Sequence, residues 1–323
     1  MADSRNTIDT LLLLALPASG KSEVRKYLST LSPEQCGNEF HMGPTVQLDD
    51  FPYVHFMRRI DEELTELGEA TLFFPNTEQP FKDGVEWGTL IHLLNEDYRD
   101  LVENVLEKPD SAAQHLFTRL ERCRAASGGE AKISLLSDGV RQQVAERLEK
   151  EARELLQAKE DEIPDTLKGK TIVIEFARGG PDGASMPLPG HYGYQYAFSQ
   201  LSEEILKRSA ILYIWVTPEE SRRKNEARTD PDDPGSILHH GVPIAVLMNE
   251  YGCDDMAYLI EQSEKKGTVC VKKGDSTYHI PFTQFDNRVD KTSFVRDEQE
   301  DWKKEDHDAL HNGLKEALQK LVS

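Results

Sequence analysis

The chain has 323 residues, enough for one large domain or two small ones with a substantial core. Its 38 lysines and arginines against 58 aspartates and glutamates leave a formal charge of -20, which argues against a nucleic-acid or anionic-membrane surface while leaving room for a local basic pocket. Cys36, Cys123, Cys253 and Cys270 stand far apart without metal-ligand spacing, as ordinary thiols of a reducing compartment do.

Residues 8–14 read as a buried parallel strand, apolar through its four closing leucines. The apolar run at 11–16 is too short to cross a bilayer and lacks a basic lead-in or a small-residue cleavage site. No signal peptide or membrane span is expected, and the default is a soluble cytoplasmic protein. The strand feeds Ala15-Leu16-Pro17-Ala18-Ser19-Gly20-Lys21-Ser22, which follows the pattern G-x-x-x-x-G-K-[ST] except that Ala15 replaces the first glycine. Such a turn points successive backbone N–H groups at phosphate oxygens, and the helix behind it adds its positive end. Ala15, Pro17, Ala18, Ser19, Gly20, Lys21 and Ser22 are therefore expected to cradle a nucleotide triphosphate. Lys21 would reach the β- and γ-phosphates and the Ser22 hydroxyl would take a place on Mg²⁺. Val24, Tyr27, Leu28 and Leu31 give residues 22–31 the helical spacing that this context requires.

Residues 44–48 read as a second strand ending in Asp49-Asp50-Phe51-Pro52-Tyr53. Ligands of open parallel sheets gather at the carboxyl ends of the strands, so these residues are expected in the phosphate cleft. Asp49 or Asp50 there would accept the proton of an attacking hydroxyl, hold it in line, or bind Mg²⁺ through water. An Asx-turn or helix cap by Asp50 is the structural alternative. Phe51 and Tyr53 are assigned with Asp49 to the substrate. Strand signals then stop for about 120 residues by the periodic pattern. Phe56, Ile60, Leu64 and Leu67 mark one helix, Leu90, Leu94, Leu101 and Val105 a second, and Val140, Val144, Leu148, Ala152 and Leu155 a third, after a loop at Gly128-Gly129. Residues 57–165 thus read as a helical insertion forming a substrate subdomain.

A third strand at 171–176 leads into Ala177-Arg178-Gly179-Gly180. Glu175 lies inside the apolar run, where a carboxylate is costly unless paired or ligated. It is expected to hold Mg²⁺-bound water or a substrate group, with Arg178 clamping a phosphate, and a plain Glu175–Arg178 pair is the alternative. Tyr194, Ala197, Phe198, Leu201 and Ile205 mark one helix, and residues 211–216 a fourth strand. Thr217-Pro218-Glu219-Glu220 then starts a helix by its cap, its proline and its acids. That helix carries Arg222, Arg223, Lys224 and Arg228, four cations in an acidic chain. Residues 218–235 read as a lid bringing Arg222, Arg223 and Arg228 to a transferring phosphoryl group, or else as a solvated helix pairing Glu219 and Glu220 with Arg223 and Lys224.

Residues 268–272 read as a fifth strand, and Ile280-Pro281-Phe282-Thr283-Gln284-Phe285-Asp286-Asn287 as a following segment that touches a nucleotide base, with Asn287 assigned to the nucleotide. His239-His240 and Asp254-Asp255 fit a cleft but more often serve a surface or a satisfied core. Trp87, Tyr192, Tyr194 and Tyr196 would stack on a substrate ring or, more commonly, fill the core. A closing helix at 306–322 carries Leu310, Leu314, Leu318 and Leu321 on one side.

These pieces resemble the P-loop kinases of small molecules, the group of nucleoside, nucleotide, gluconate and shikimate kinases. Gln47-Leu48-Asp49-Asp50-Phe51 looks like the strand-end aspartate motif of the uridine and nicotinamide riboside kinase branch. Glu175-Phe176-Ala177-Arg178 is a looser echo of the Glu-Arg-Ser stretch of deoxynucleoside kinases, with two inserted residues. Arg222 to Arg228 is similar to the lid of the whole group. The resemblance covers the sheet, about half the chain, and not residues 57–165. It implies one three-layer α/β domain over 1–323, with a five-stranded parallel sheet and a large helical insertion after the second strand. It also implies an ATP- and Mg²⁺-dependent kinase acting on a hydroxyl or phosphate of a small acceptor, nucleoside- or sugar-like. No nucleic-acid or membrane partner is expected, and the oligomeric state stays open, a homodimer included. A nucleotide-binding regulator or slow NTPase with a protein partner is the alternative.

Overall fold

The leucines of the first strand alternate between two cores. In a computed structural model, which describes residues 7–228 and 241–322, β1 (Thr10–Leu14) sends Leu12 and Leu14 into one cluster and Leu11 and Leu13 into another. A strand buried on both faces needs no polar alternation, which is why it reads as a continuous apolar run. The chain continues through α1 (Lys21–Thr30), α2 (Pro33–Phe40), β2 (Thr45–Asp49), α3 (Phe51–Glu66), α4 (Val85–Glu103), α5 (Ala112–Ala126), α6 (Asp138–Asp161), β3 (Thr171–Phe176), α7 (Gly193–Gln200) and α8 (Glu203–Arg208). It closes with β4 (Ser209–Trp215), α9 (Pro218–Arg228), α10 (Ile244–Glu250), α11 (Met256–Glu261), β5 (Thr268–Lys273), β6 (Ser276–Asp286) and α12 (Lys304–Gln319).

The sheet has six strands in the order β2-β3-β1-β4-β6-β5, all parallel except β5, which pairs antiparallel with β6. This corrects the expected five-stranded parallel sheet. Residues 268–272 form the outer arm of a hairpin, and residues 280–286, expected as a separate segment touching a nucleotide base, belong to the inner arm. Pro281 hides that strand from the sequence. Phe282 N–H donates to Gly267 O at 2.9 Å, so the missing N–H of Pro281 falls on the β4 side, just before pairing with β4 begins at Ile211 and Phe282. The proline therefore removes no ladder bond.

Helices α4, α7, α8 and α11 cover one face of the sheet, and α1, α2 and α12 cover the other. Between β2 and β3, helices α3 to α6 enclose a core of their own, with Phe56, Ile60, Leu93, Phe117, Leu120 and Leu148 at its centre. Helix α4 belongs to both: Leu90 and Leu93 point into the helical core, while Ile91, Leu94, Tyr98 and Leu101 point onto the sheet. A helix with apolar side chains on two faces can pack on two cores, and here it is the joint between them. The helix expected around 194–205 is two, because Ser202 Oγ accepts from Ile205 N–H at 3.3 Å and caps α8 afresh.

Candidate active site

The strand order puts β1 between β3 and β4, so the turn that follows it opens at the middle of the sheet's carboxyl edge. Within the turn Ala18 has φ 55° and Gly20 φ 105°. A Cβ at Gly20 would meet Thr292 Oγ1 at 2.5 Å and Asn287 Nδ2 at 2.9 Å, so backbone and space both demand glycine. Ala15 is fully buried and lies outside the positive-φ region, so its methyl group is accommodated in the core. Lys21 Nζ donates to Ala15 O at 3.4 Å, and the Tyr194 hydroxyl donates to the same carbonyl at 3.0 Å. Ser22 is partly buried in the first turn of α1.

Three carboxylates and two arginines meet at the ends of β2 and β3. Asp49 and Glu175 are cross-strand partners, and Arg25, one turn beyond Lys21 on α1, places NH1 at 2.8 Å from Glu175 Oε2 and 3.4 Å from Asp49 Oδ2. Asp50 instead takes Arg178, whose NH1 donates to Oδ2 at 2.7 Å. The sequence alternative of a Glu175–Arg178 pair is thus replaced by two crossed pairs, Glu175–Arg25 and Asp50–Arg178. Arg178 is 2% exposed and stacks over Trp87 at 4.8 Å and Phe176 at 5.2 Å, yet its Nε has no hydrogen-bond partner. Asp49 Oδ1 accepts from Phe51 N–H at 2.8 Å, forming the Asx-turn that starts α3; Asp50 makes no side-chain cap.

Crowding sets the charges. Burial, then Glu175 and Asp50, push the Asp49 carboxyl above its usual range, against the Phe51 amide and Arg25. Burial also raises Asp50, and Arg178 and Lys21 only partly offset it. Burial alone would lower Arg25, but Glu175 and Asp49 outweigh it and hold the guanidinium above its ordinary value.

Helix α9 is tied to the turn by Ser221, whose hydroxyl donates to Pro17 O at 2.7 Å. Its start follows the expected cap, with Glu220 N–H donating to Thr217 Oγ1 at 3.2 Å. Arg222 lies 3.8 Å from Asp182 and 3.6 Å from Glu219, and its buried NH1 makes no hydrogen bond. Arg223 behaves differently: it is an exposed side chain paired twice with Glu220 at 2.7 Å, the solvated arrangement rather than a cleft one. The Arg228 side chain, the return loop at 230–235, His239 and His240 lie outside the described residues.

Asn287 does not present its side chain to a base. It is fully buried: Nδ2 donates to Ser19 O at 2.8 Å and Thr292 Oγ1 at 2.9 Å, while Oδ1 accepts from Lys291 N–H at 2.8 Å, so it braces the turn from behind. Lys224, expected in the solvated alternative to pair with the first-turn acids, instead joins that brace through Asn287 O and Asp290 Oδ1, both at 3.2 Å. Tyr53 is also withdrawn from the substrate set. It faces the helical core, 2% exposed, bonded to Asp97 and Arg119. Phe51, two residues earlier, is 37% exposed at the mouth of α3. Asp255 is fully buried and accepts from Tyr194 N–H at 2.6 Å and Gln195 N–H at 2.9 Å, at the start of α7. Asp254 accepts from the Tyr213 hydroxyl at 2.6 Å. Both aspartates are structural. Arg25 had a readable signal, its four-residue spacing from Lys21 on one helix face; Thr292 and Tyr194 reach the turn from distant segments and had none.

Ser22, Asp49 and Glu175 offer hard oxygen donors of the kind Mg²⁺ takes. Among the described residues no three His, Cys, Asp or Glu side chains converge to hold a metal alone. No described helix is long and apolar enough to cross a membrane. The chain matches no protein-family model, no curated protein and no solved structure, so its own geometry carries the functional reading.

Proposed function

We propose that this chain is an ATP- and Mg²⁺-dependent phosphotransferase of the P-loop kinase type, moving the γ-phosphoryl group to a hydroxyl of a small acceptor. One observation supports this most strongly: the glycine-lysine-serine turn, the paired Asp49 and Glu175, and the α9 arginine helix meet at one edge of the sheet, with Ser221 bonding α9 to the turn. Phosphoryl transfer asks the protein for positioning and charge neutralisation, and these groups supply both. Lys21 exchanges the Ala15 carbonyl for phosphate oxygens. Asp49, raised toward neutrality, is suited to accept the hydroxyl proton as the acceptor oxygen attacks phosphorus, the bridging P–O bond breaks and ADP leaves. Arg222 and the free Nε of Arg178 are donors for the transferring group and for an acceptor oxygen. Mg²⁺ held by Ser22 and Glu175 would neutralise phosphate charge. The helical body of α3 to α6 is assigned to acceptor recognition.

The test is ADP release across nucleosides, sugars, hydroxy acids and nucleotides. One compound should stimulate release strongly, and Lys21→Ala should abolish it with the melting temperature unchanged. Unchanged turnover in Lys21→Ala would remove the assignment of the turn, and slow release indifferent to every acceptor would favour a nucleotide-binding regulator.

A further inference from the structure

Arg25 sits where a metal ion would be expected. Its guanidinium bridges the carboxylates at the ends of β2 and β3, at 2.8 Å from Glu175 and 3.4 Å from Asp49, and a divalent cation entering there would meet a like charge. With Arg25 in place one guanidinium faces the two carboxylates and satisfies both. Without it the two carboxylates are oxygen donors of the kind a hard dication takes. Arg25 is also able to leave, because its side chain is 31% exposed. A plain structural ion pair would only hold α1 in place, and Arg296, from the 293–296 turn, already pairs with Glu23 of α1 at 2.7 Å.

We propose that Arg25 is a resident cation that keeps a divalent metal out of the free protein, so that metal enters only with the negative charge of a bound triphosphate. Arg25 thereby acts as a positioning residue: it holds Glu175 and Asp49 apart from solvent metal until nucleotide arrives. The proposal rests on the phosphotransferase reading for its nucleotide half, whereas exclusion from the free protein does not.

Mn²⁺ is the probe, followed by loss of its free-ion electron paramagnetic resonance signal, with nucleotide-free full-length wild type, Arg25→Gln, Arg25→Lys and Arg25→Gln/Glu175→Gln. Melting curves check folding, and Arg25→Ala is read in the same way should the glutamine variant not fold. The expected result is at least about tenfold tighter Mn²⁺ binding by Arg25→Gln, equal to about 1.4 kcal/mol. Arg25→Lys should match wild type, and the double variant should lose the gain. Arg25→Gln binding no tighter than wild type, or a gain that survives Glu175→Gln, would overturn the proposal. A parallel titration with a fluorescent ATP analogue and Mg²⁺ separates the two ideas. Analogue binding without the Mn²⁺ gain sinks the role of Arg25 alone. The Mn²⁺ gain without analogue binding upholds exclusion by Arg25 and removes the kinase reading.

Discussion

Two buried arginine–aspartate pairs, one in the helical body and one at the strand ends, have opposite outcomes. Arg119, 1% exposed, uses Nε on Glu96 at 2.9 Å, NH1 on the Tyr53 hydroxyl at 2.9 Å and NH2 on Asp97 at 2.6 Å. Burial opposes the charge on Asp97, yet Arg119 and Lys159 hold its carboxyl below the usual range. At the strand ends, burial wins over Arg178 and leaves Asp50 raised, and Arg178 Nε goes unbonded. The first network is saturated and serves the fold. The second is short of partners, and that shortage is what a ligand would relieve.

Breaking the saturated network should have the largest effect on stability. Arg119→Met leaves Asp97 and Glu96 under-compensated in the helical body and should cost about 3–5 kcal/mol by urea denaturation. Arg178→Met should cost less, about 1–3 kcal/mol, because Asp50 is already poised to take up a proton. Its acceptor KM should rise about tenfold or more. Equal stability losses for the two variants would erase the distinction between the networks.

Asp49→Asn sharpens the comparison through pH. A carboxyl raised by folding binds protons more tightly in the native state, so its contribution is present below the ordinary carboxylate range and lost as pH rises toward the folded value. The wild type should lose stability between pH 4.5 and pH 8 at this site, and Asp49→Asn should lose less. The difference should stay under about 1 kcal/mol, since a quarter of the side chain is exposed. Acceptor-dependent turnover should collapse in the same variant. A steeper pH dependence in Asp49→Asn would contradict the raised carboxyl. The smallest effect belongs to Arg223→Ala. Its exposed pair with Glu220 should be worth less than about 0.5 kcal/mol, with turnover within about twofold of wild type, while Arg222→Ala should slow turnover clearly.

The parts of this molecule that are legible in sequence are those governed by local pattern. The leucines of β1, the Gly20-Lys21-Ser22 turn, and the strand-end Asp49 and Glu175 follow from apolar runs and the residues that terminate them. What was hidden depends on distant pairings. Pro281 reads as a strand breaker until its missing N–H is seen to fall beside an unpaired position. Asn287 looks like a ligand residue because it follows a strand, but its side chain is taken up by the Ser19 carbonyl and Thr292. Tyr53 lies two residues from the exposed Phe51, and the turn of α3 is enough to carry it into the helical core. The alternative pairing of Glu175 with Arg178 fails for the same reason: Arg25, from another element, takes that place.

The central claim is that the under-matched strand-end groups and the turn form one phosphoryl-transfer site. The most direct measurement is acceptor-stimulated ADP production by wild type and Lys21→Ala, with Mg²⁺ and ATP over the acceptor panel. The account predicts strong stimulation by one small hydroxyl compound, with a loss of about a thousandfold in Lys21→Ala, roughly 4 kcal/mol, and no change in melting temperature. Turnover undiminished by Lys21→Ala, or ADP release that no acceptor alters, would contradict it.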